Sequence, residues 1–128
     1  MSRVLVYEPK PWFLPELLRQ YAGSGVVVGA GRERRVKTAL TVPAQGPDAD
    51  GDGAVRCVVV DVRNRPERGL ALVEELRRRH PESEHILIAD ERLGPLEWVL
   101  RELGVTQIEM SPVRGVDLKP MIDRVLGR

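Results

Sequence analysis

Four short apolar runs constrain this chain more than any other feature: Val4-Leu5-Val6-Tyr7, Val26-Val27-Val28, Cys57-Val58-Val59-Val60 and Ile86-Leu87-Ile88-Ala89. They are rich in β-branched residues and continuous rather than alternating. A strand with one face in water alternates apolar and polar side chains, whereas an unbroken apolar run suits a strand covered on both faces. The runs therefore read as strands of a parallel sheet between two layers of helices. Thr106–Met110 is a fifth candidate, mixed in character as an edge strand is.

Helical patterns lie between the runs. Phe13, Leu14, Leu17, Leu18 and Tyr21 recur at helical spacing after Pro11. Arg32–Val42 is a weaker, basic helical segment. Leu72, Val73 and Leu76 lead into Arg77-Arg78-Arg79, which suits the negative end of a helix dipole and reads as a solvated helix end. Leu93, Leu96, Val99, Leu100 and Leu103 form one core-facing stripe, closed by Gly104. Trp98 falls almost opposite that stripe. Asp117 reads as the cap of a last helix carrying Leu118, Met121, Ile122 and Val125, with Pro120 in its first turn. A β-α unit repeated five times predicts an α/β fold, an open, doubly wound parallel sheet with helices on both faces.

The 128 residues, 42% apolar and 30% charged, suit a single soluble domain over 1–128. A net charge of +1 gives no reason to expect a nucleic-acid or membrane partner. Ser2 and Arg3 lead straight into the first apolar run, which does not read as a signal peptide, and no apolar stretch approaches the length of a bilayer span. The expectation is a cytoplasmic domain. Cys57, the single cysteine, sits inside an apolar run and reads as a buried, unreactive thiol. The acidic stretch within Pro43–Gly53 echoes the opening of a calcium loop, but the twelfth position, which needs a bidentate carboxylate, is Val59. It reads as an acidic loop. Gly29-Ala30-Gly31 lacks a third glycine at dinucleotide spacing, since Arg34 stands there, and reads as a turn.

Doubly wound sheets carry their sites outside the carboxyl ends of their strands. Those ends supply Glu8-Pro9-Lys10, Asp61-Val62-Arg63, Ala89-Asp90 and Ser111-Pro112. Topology thus predicts that Glu8, Asp61, Asp90 and Ser111 surround one crevice. Lys10 and Arg63 are loop cations that either swing into it or stay in solvent. Trp12, at its mouth, is expected to pack at the start of the first helix. His80 and His85 flank the amino end of the fourth strand, and no nucleophile–base pair points to an enzyme.

At these residues the chain resembles the receiver domain of bacterial two-component response regulators, over nearly its whole length. Val4-Leu-Val-Tyr-Glu-Pro-Lys-Pro resembles the first strand and acidic turn of receivers. Cys57–Arg79 resembles their third strand and helix, and Leu100–Pro112 their fourth helix and fifth strand with its terminal Lys-Pro. The resemblance implies a five-stranded flavodoxin-like (β/α)5 sheet in the order 2-1-3-4-5. It also implies that Asp61 stands at the phosphoacceptor position and Glu8 at the first of two magnesium-holding acidic places.

The other functional positions depart from the pattern. Pro9 replaces the second acidic residue, Ala89 the hydroxyl residue, Ser111 the lysine and Ile108 the aromatic switch residue. Phosphoryl transfer to a carboxylate brings negative charge against negative charge, and fixed donors and cations offset it. Losing a single such donor typically costs about 3–4 kcal/mol of barrier. Glu8 and Asp61 are at best a weak magnesium pair. The expectation is therefore a pseudo-receiver, not an enzyme, that signals by protein contact and takes no cofactor. The alternative is an atypical receiver phosphorylated on Asp61 with magnesium. A third possibility is a small enzyme or ligand-binder on the same fold. Receivers commonly dock partners or a second copy on the face of the fourth helix, fifth strand and fifth helix, which nominates Trp98 as an anchor.

Overall fold

The computed structural model describes residues 2–31, 55–63, 66–105 and 107–128. Strands β1 (Arg3–Tyr7), β2 (Val27–Ala30), β3 (Val55–Asp61), β4 (Glu84–Ala89) and β5 (Gln107–Met110) form one parallel sheet in the order β2-β1-β3-β4-β5. This is the predicted flavodoxin-like order. The described helices are α1 (Leu14–Gln20), α2 (Pro66–Arg79), α3 (Glu97–Glu102) and α4 (Gly115–Leu126), with a 3-10 helix over Glu91–Leu96 running into α3. The predicted helix Arg32–Val42 and the acidic loop Pro43–Gly53 lie outside the described residues. The predicted fourth and fifth helices are thus α3 and α4.

The sheet separates two apolar cores. In β3, Cys57 and Val59 point to one face, where Phe13, Leu17 and Tyr21 from α1 and its approaches meet Leu118 and Ile122 of α4. Val58 and Val60 point to the other, against Val73 and Leu76 of α2 and Leu100 of α3. Period-two alternation across a sheet buried on both sides explains why the run carries no polar residue. Burying each such side chain is worth about 1.5–3 kcal/mol. Close packing fixes two glycines. A Cβ on Gly69 of α2 would collide with Val62 Cγ1, and one on Gly115 of α4 would fall 2.6 Å from Glu16 Cβ.

The local structure corrects several expectations. Gly29 and Ala30 belong to β2 instead of a turn, paired with Leu5 and Val6 of β1. The 93–103 stripe is not one helix. Pro95, which has no N–H to give, lies in the 3-10 segment, and the change from three to 3.6 residues per turn rotates the stripe. Leu93 and Leu100 are buried but Leu96 is exposed. Asp117 serves α4 from inside, as its third residue, accepting the Arg114 N–H at 2.8 Å. Pro120 therefore falls in the second turn, where Val116 C=O loses its usual donor. Arg77 is not simply a solvated helix end. Its Nε donates to the Leu103 carbonyl at 3.1 Å, tying α2 to the end of α3.

Candidate functional site

The carboxyl ends of β1, β3, β4 and β5 open onto a crevice of about 430 Å³. Asp61, Asp90 and Ser111 line it, as the topology predicts, together with Pro9, Lys10, Trp12 and Arg63.

Asp61 ends β3 with its side chain only 5% exposed, and Arg63 clasps it. The Arg63 Nε donates to Asp61 Oδ1 at 2.9 Å and Nη2 to Oδ2 at 2.8 Å, a two-pronged fork. The Arg63 backbone N–H also reaches Oδ1, at 3.0 Å. The guanidinium lies over the Phe13 ring, 5.1 Å from its centre. Hydrogen bonding to Asp61 makes the Arg63 guanidinium hold its proton more firmly than usual, against the effect of burial, with the charges of Asp61, Glu8 and Asp90 adding to the hold. Of the two loop cations, Arg63 is the one that enters. Lys10 lines the crevice, exposed, with no hydrogen-bond or ion-pair partner among the described residues.

Asp90 repeats the same device one strand over. It accepts the Arg92 backbone N–H at 3.0 Å, capping the 3-10 helix, and pairs with Arg92 Nη2 at 2.7 Å. Arg92 Nη2 also donates to the backbone carbonyl of Arg63, so the two clasps are joined. Sequence reasoning missed Arg92. The signal was there, because Asp90-Glu91-Arg92 copies the Asp-x-Arg spacing of Asp61-Val62-Arg63.

Glu8 is not in the crevice lining, contrary to the expectation of an acidic pocket. Its Oε1 accepts the N–H groups of Trp12 and Phe13 at 2.9 Å, and its Oε2 that of Leu14 at 3.0 Å. The first N–H groups of a helix have no partner inside it, and Phe13, at the capping position of α1, has no side-chain oxygen to offer. Glu8 supplies that cap from a distance, at the end of the helix dipole that favours negative charge. Trp12 is corrected too. The residue is 67% exposed at the mouth of the crevice instead of packed at the start of α1.

Ala89 is fully buried, and its carbonyl accepts the Ser111 N–H at 2.8 Å. The Ser111–Pro112 peptide is cis, and Pro112 is exposed outside the crevice lining. Ile108 packs half-buried against the α2–α3 core. Trp98 is 64% exposed on α3. Cys57 is buried, and desolvation pushes its thiol up to about 12. His85 is buried near the amino end of β4, its Nδ1 3.0 Å from the Ser83 carbonyl, and desolvation lowers its pKa.

The donor set does not fit magnesium. Both oxygens of Glu8 serve α1, and both oxygens of Asp61 serve Arg63. Among the described residues no three His, Cys, Asp or Glu side chains gather so as to hold a metal ion. Among the same residues no helix is long and apolar enough to cross a membrane.

Comparison with solved structures places the fold in a known architecture. A response regulator from Thermotoga maritima superposes with a TM-score of 0.69 at 15% identity, over 100% of this chain and 99% of the other. The chain has the receiver fold. The receiver fold at this similarity also includes a putative pilus assembly protein from Burkholderia thailandensis (TM-score 0.67, 20% identity, 100% of both chains). A protein described as an adenylate cyclase from Rhodopirellula baltica is similar as well (TM-score 0.70, 17% identity, 98% of this chain and 87% of the other). No family model matches the sequence, and no curated protein matches it.

Proposed function

We propose that this domain is a receiver-fold signalling module that acts by binding another protein, with Asp61 held as a structural ion pair instead of a phosphoacceptor. The observation that carries this reading is the fork between Arg63 and Asp61. A carboxylate attacking phosphorus needs one oxygen free and in line with the leaving group. Here both oxygens accept from one guanidinium. The groups that would offset the developing charge are absent from their places, which hold Pro9, Ala89 and Ser111. Similarity to response regulators supports a signalling role. Exposed Trp98 on α3, Met110 on β5 and Val116 on α4 support the α3–β5–α4 face as the surface for a partner or a second copy. On this reading the domain is cytoplasmic, not an enzyme, and needs no cofactor.

The runner-up is phosphorylation of Asp61, favoured by one observation: Lys10 lines the crevice without a partner among the described residues. The two readings separate in one experiment. The protein is incubated with magnesium and acetyl phosphate or beryllofluoride, and intact mass and tryptophan fluorescence are followed. The proposal expects no change in either. A gain of one phosphoryl group that disappears in Asp61→Asn overturns it.

A further inference from the structure

The Arg63 guanidinium sits on the Asp61 carboxylate in the crevice that Asp90 also lines. It forks onto Asp61, covers Phe13, and feels the charges of Glu8 and Asp90. We propose that Arg63 is the resident cation of this crevice, standing where a divalent metal ion would otherwise be needed, so that the native domain has no use for magnesium. The inference rests on the reading of Asp61 as structural and names what holds it.

The physical contrast between the two cations is sharp. A guanidinium is planar, always charged and weakly hydrated, and its parallel N–H groups match a carboxylate. Magnesium demands near-octahedral oxygen ligands and gives up its water reluctantly. To reach Asp61 it would have to break both prongs of the fork and lift Arg63 from the Phe13 ring. Glu8 gives no help, because releasing it would uncap α1. Arg63 also lies two residues from Asp61, so the chain presents it at high local concentration, while a metal ion must be recruited from solution. The carbonyl of Arg63 accepts from Arg92, which fixes the loop from which the guanidinium reaches back.

The test compares wild type, Arg63→Gln and Arg63→Lys in thermal unfolding, with EDTA or with magnesium chloride at constant ionic strength. Wild type is expected to melt at the same temperature in both. Arg63→Gln is expected to melt several degrees lower in EDTA and to recover part of that loss in magnesium, because a ligand that binds the folded state stabilises it. Arg63→Lys is expected to lie between, with a weaker response to the metal. Stabilisation of wild type by magnesium, or identical metal responses in wild type and Arg63→Gln, overturns the proposal. If Arg63→Gln does not fold, the double variant Asp61→Asn/Arg63→Gln decides. Recovery of folding supports Arg63 as the neutralising cation, and continued failure overturns that role. Magnesium stabilisation of wild type without gain in mass removes this inference alone. A mass gain lost in Asp61→Asn removes the functional reading on which it rests.

Discussion

Asp61 and Arg63 are partly desolvated, with side-chain exposures of 5% and 21%, so their fork is screened less than a surface pair. Removing one partner leaves the other with unmet hydrogen bonds in a confined place. Arg63→Ala should therefore cost about 1–3 kcal/mol, and a double-mutant cycle with Asp61→Asn should show favourable coupling in urea unfolding. His85 gives a pH dependence of definite sign. Its folded pKa lies below the ordinary 6.5, so below about that pH the unfolded chain takes up a proton that the folded chain refuses. Stability falls as pH drops from about 6.5 towards the lowered folded value, by at most ~1.4 kcal/mol per pH unit for this one group. Urea unfolding of wild type and His85→Gln across that range should show a flatter dependence in the variant. Cys57, buried with its thiol pushed up to about 12, should react with a thiol reagent only as fast as the fold opens. Sequence position alone located Asp61 and Asp90 at the crevice. It left Lys10 and Arg63 as alternatives for Asp61 and missed Arg92, because which cation turns inward depends on rotamer and on what lies beneath it, here the Phe13 ring.

Among the elements, α1 is seven residues long and too short to hold itself together in water. Its start depends on Glu8, which binds three consecutive N–H groups. Glu8→Ala should lower stability by about 1–2 kcal/mol in urea unfolding, and Glu8→Gln, which retains one acceptor oxygen, by less. A search for a capping residue immediately before a helix misses this one, because Glu8 reaches donors four to six residues away. The 93–103 stripe departs from a single helix for a related reason. Apolar spacing records which residues seek the core, but it does not record where three residues per turn become 3.6, which Pro95 helps decide. The last helix begins three residues before the predicted start, with Arg114 at the cap in place of Asp117, since an acidic residue favours the third helical position as well as the cap.

For the whole molecule, the sheet was the most legible feature. Unbroken apolar runs state that both faces are covered, and right-handed crossovers leave few ways to arrange such strands. The exception is β2, where edge exposure weakens the apolar signal: Val27 is 42% exposed and the strand slides onto Gly29 and Ala30. The partner face also belongs to this scale, since three consecutive elements, α3, β5 and α4, would have to present one surface. If Trp98 anchors a second copy, sedimentation should show concentration-dependent association that Trp98→Ala weakens by about tenfold or more, while its melting temperature stays near that of wild type.

Each Asp-x-Arg clasp closes within three residues. A contact that local costs little loop entropy and can form fleetingly before the sheet exists. The denatured chain thus already carries part of the attraction, and denaturation will report less than the folded geometry suggests. Each clasp sits where its strand, β3 or β4, gives way to the following turn. They act as punctuation in the folding of the chain as much as bonds in its finished form.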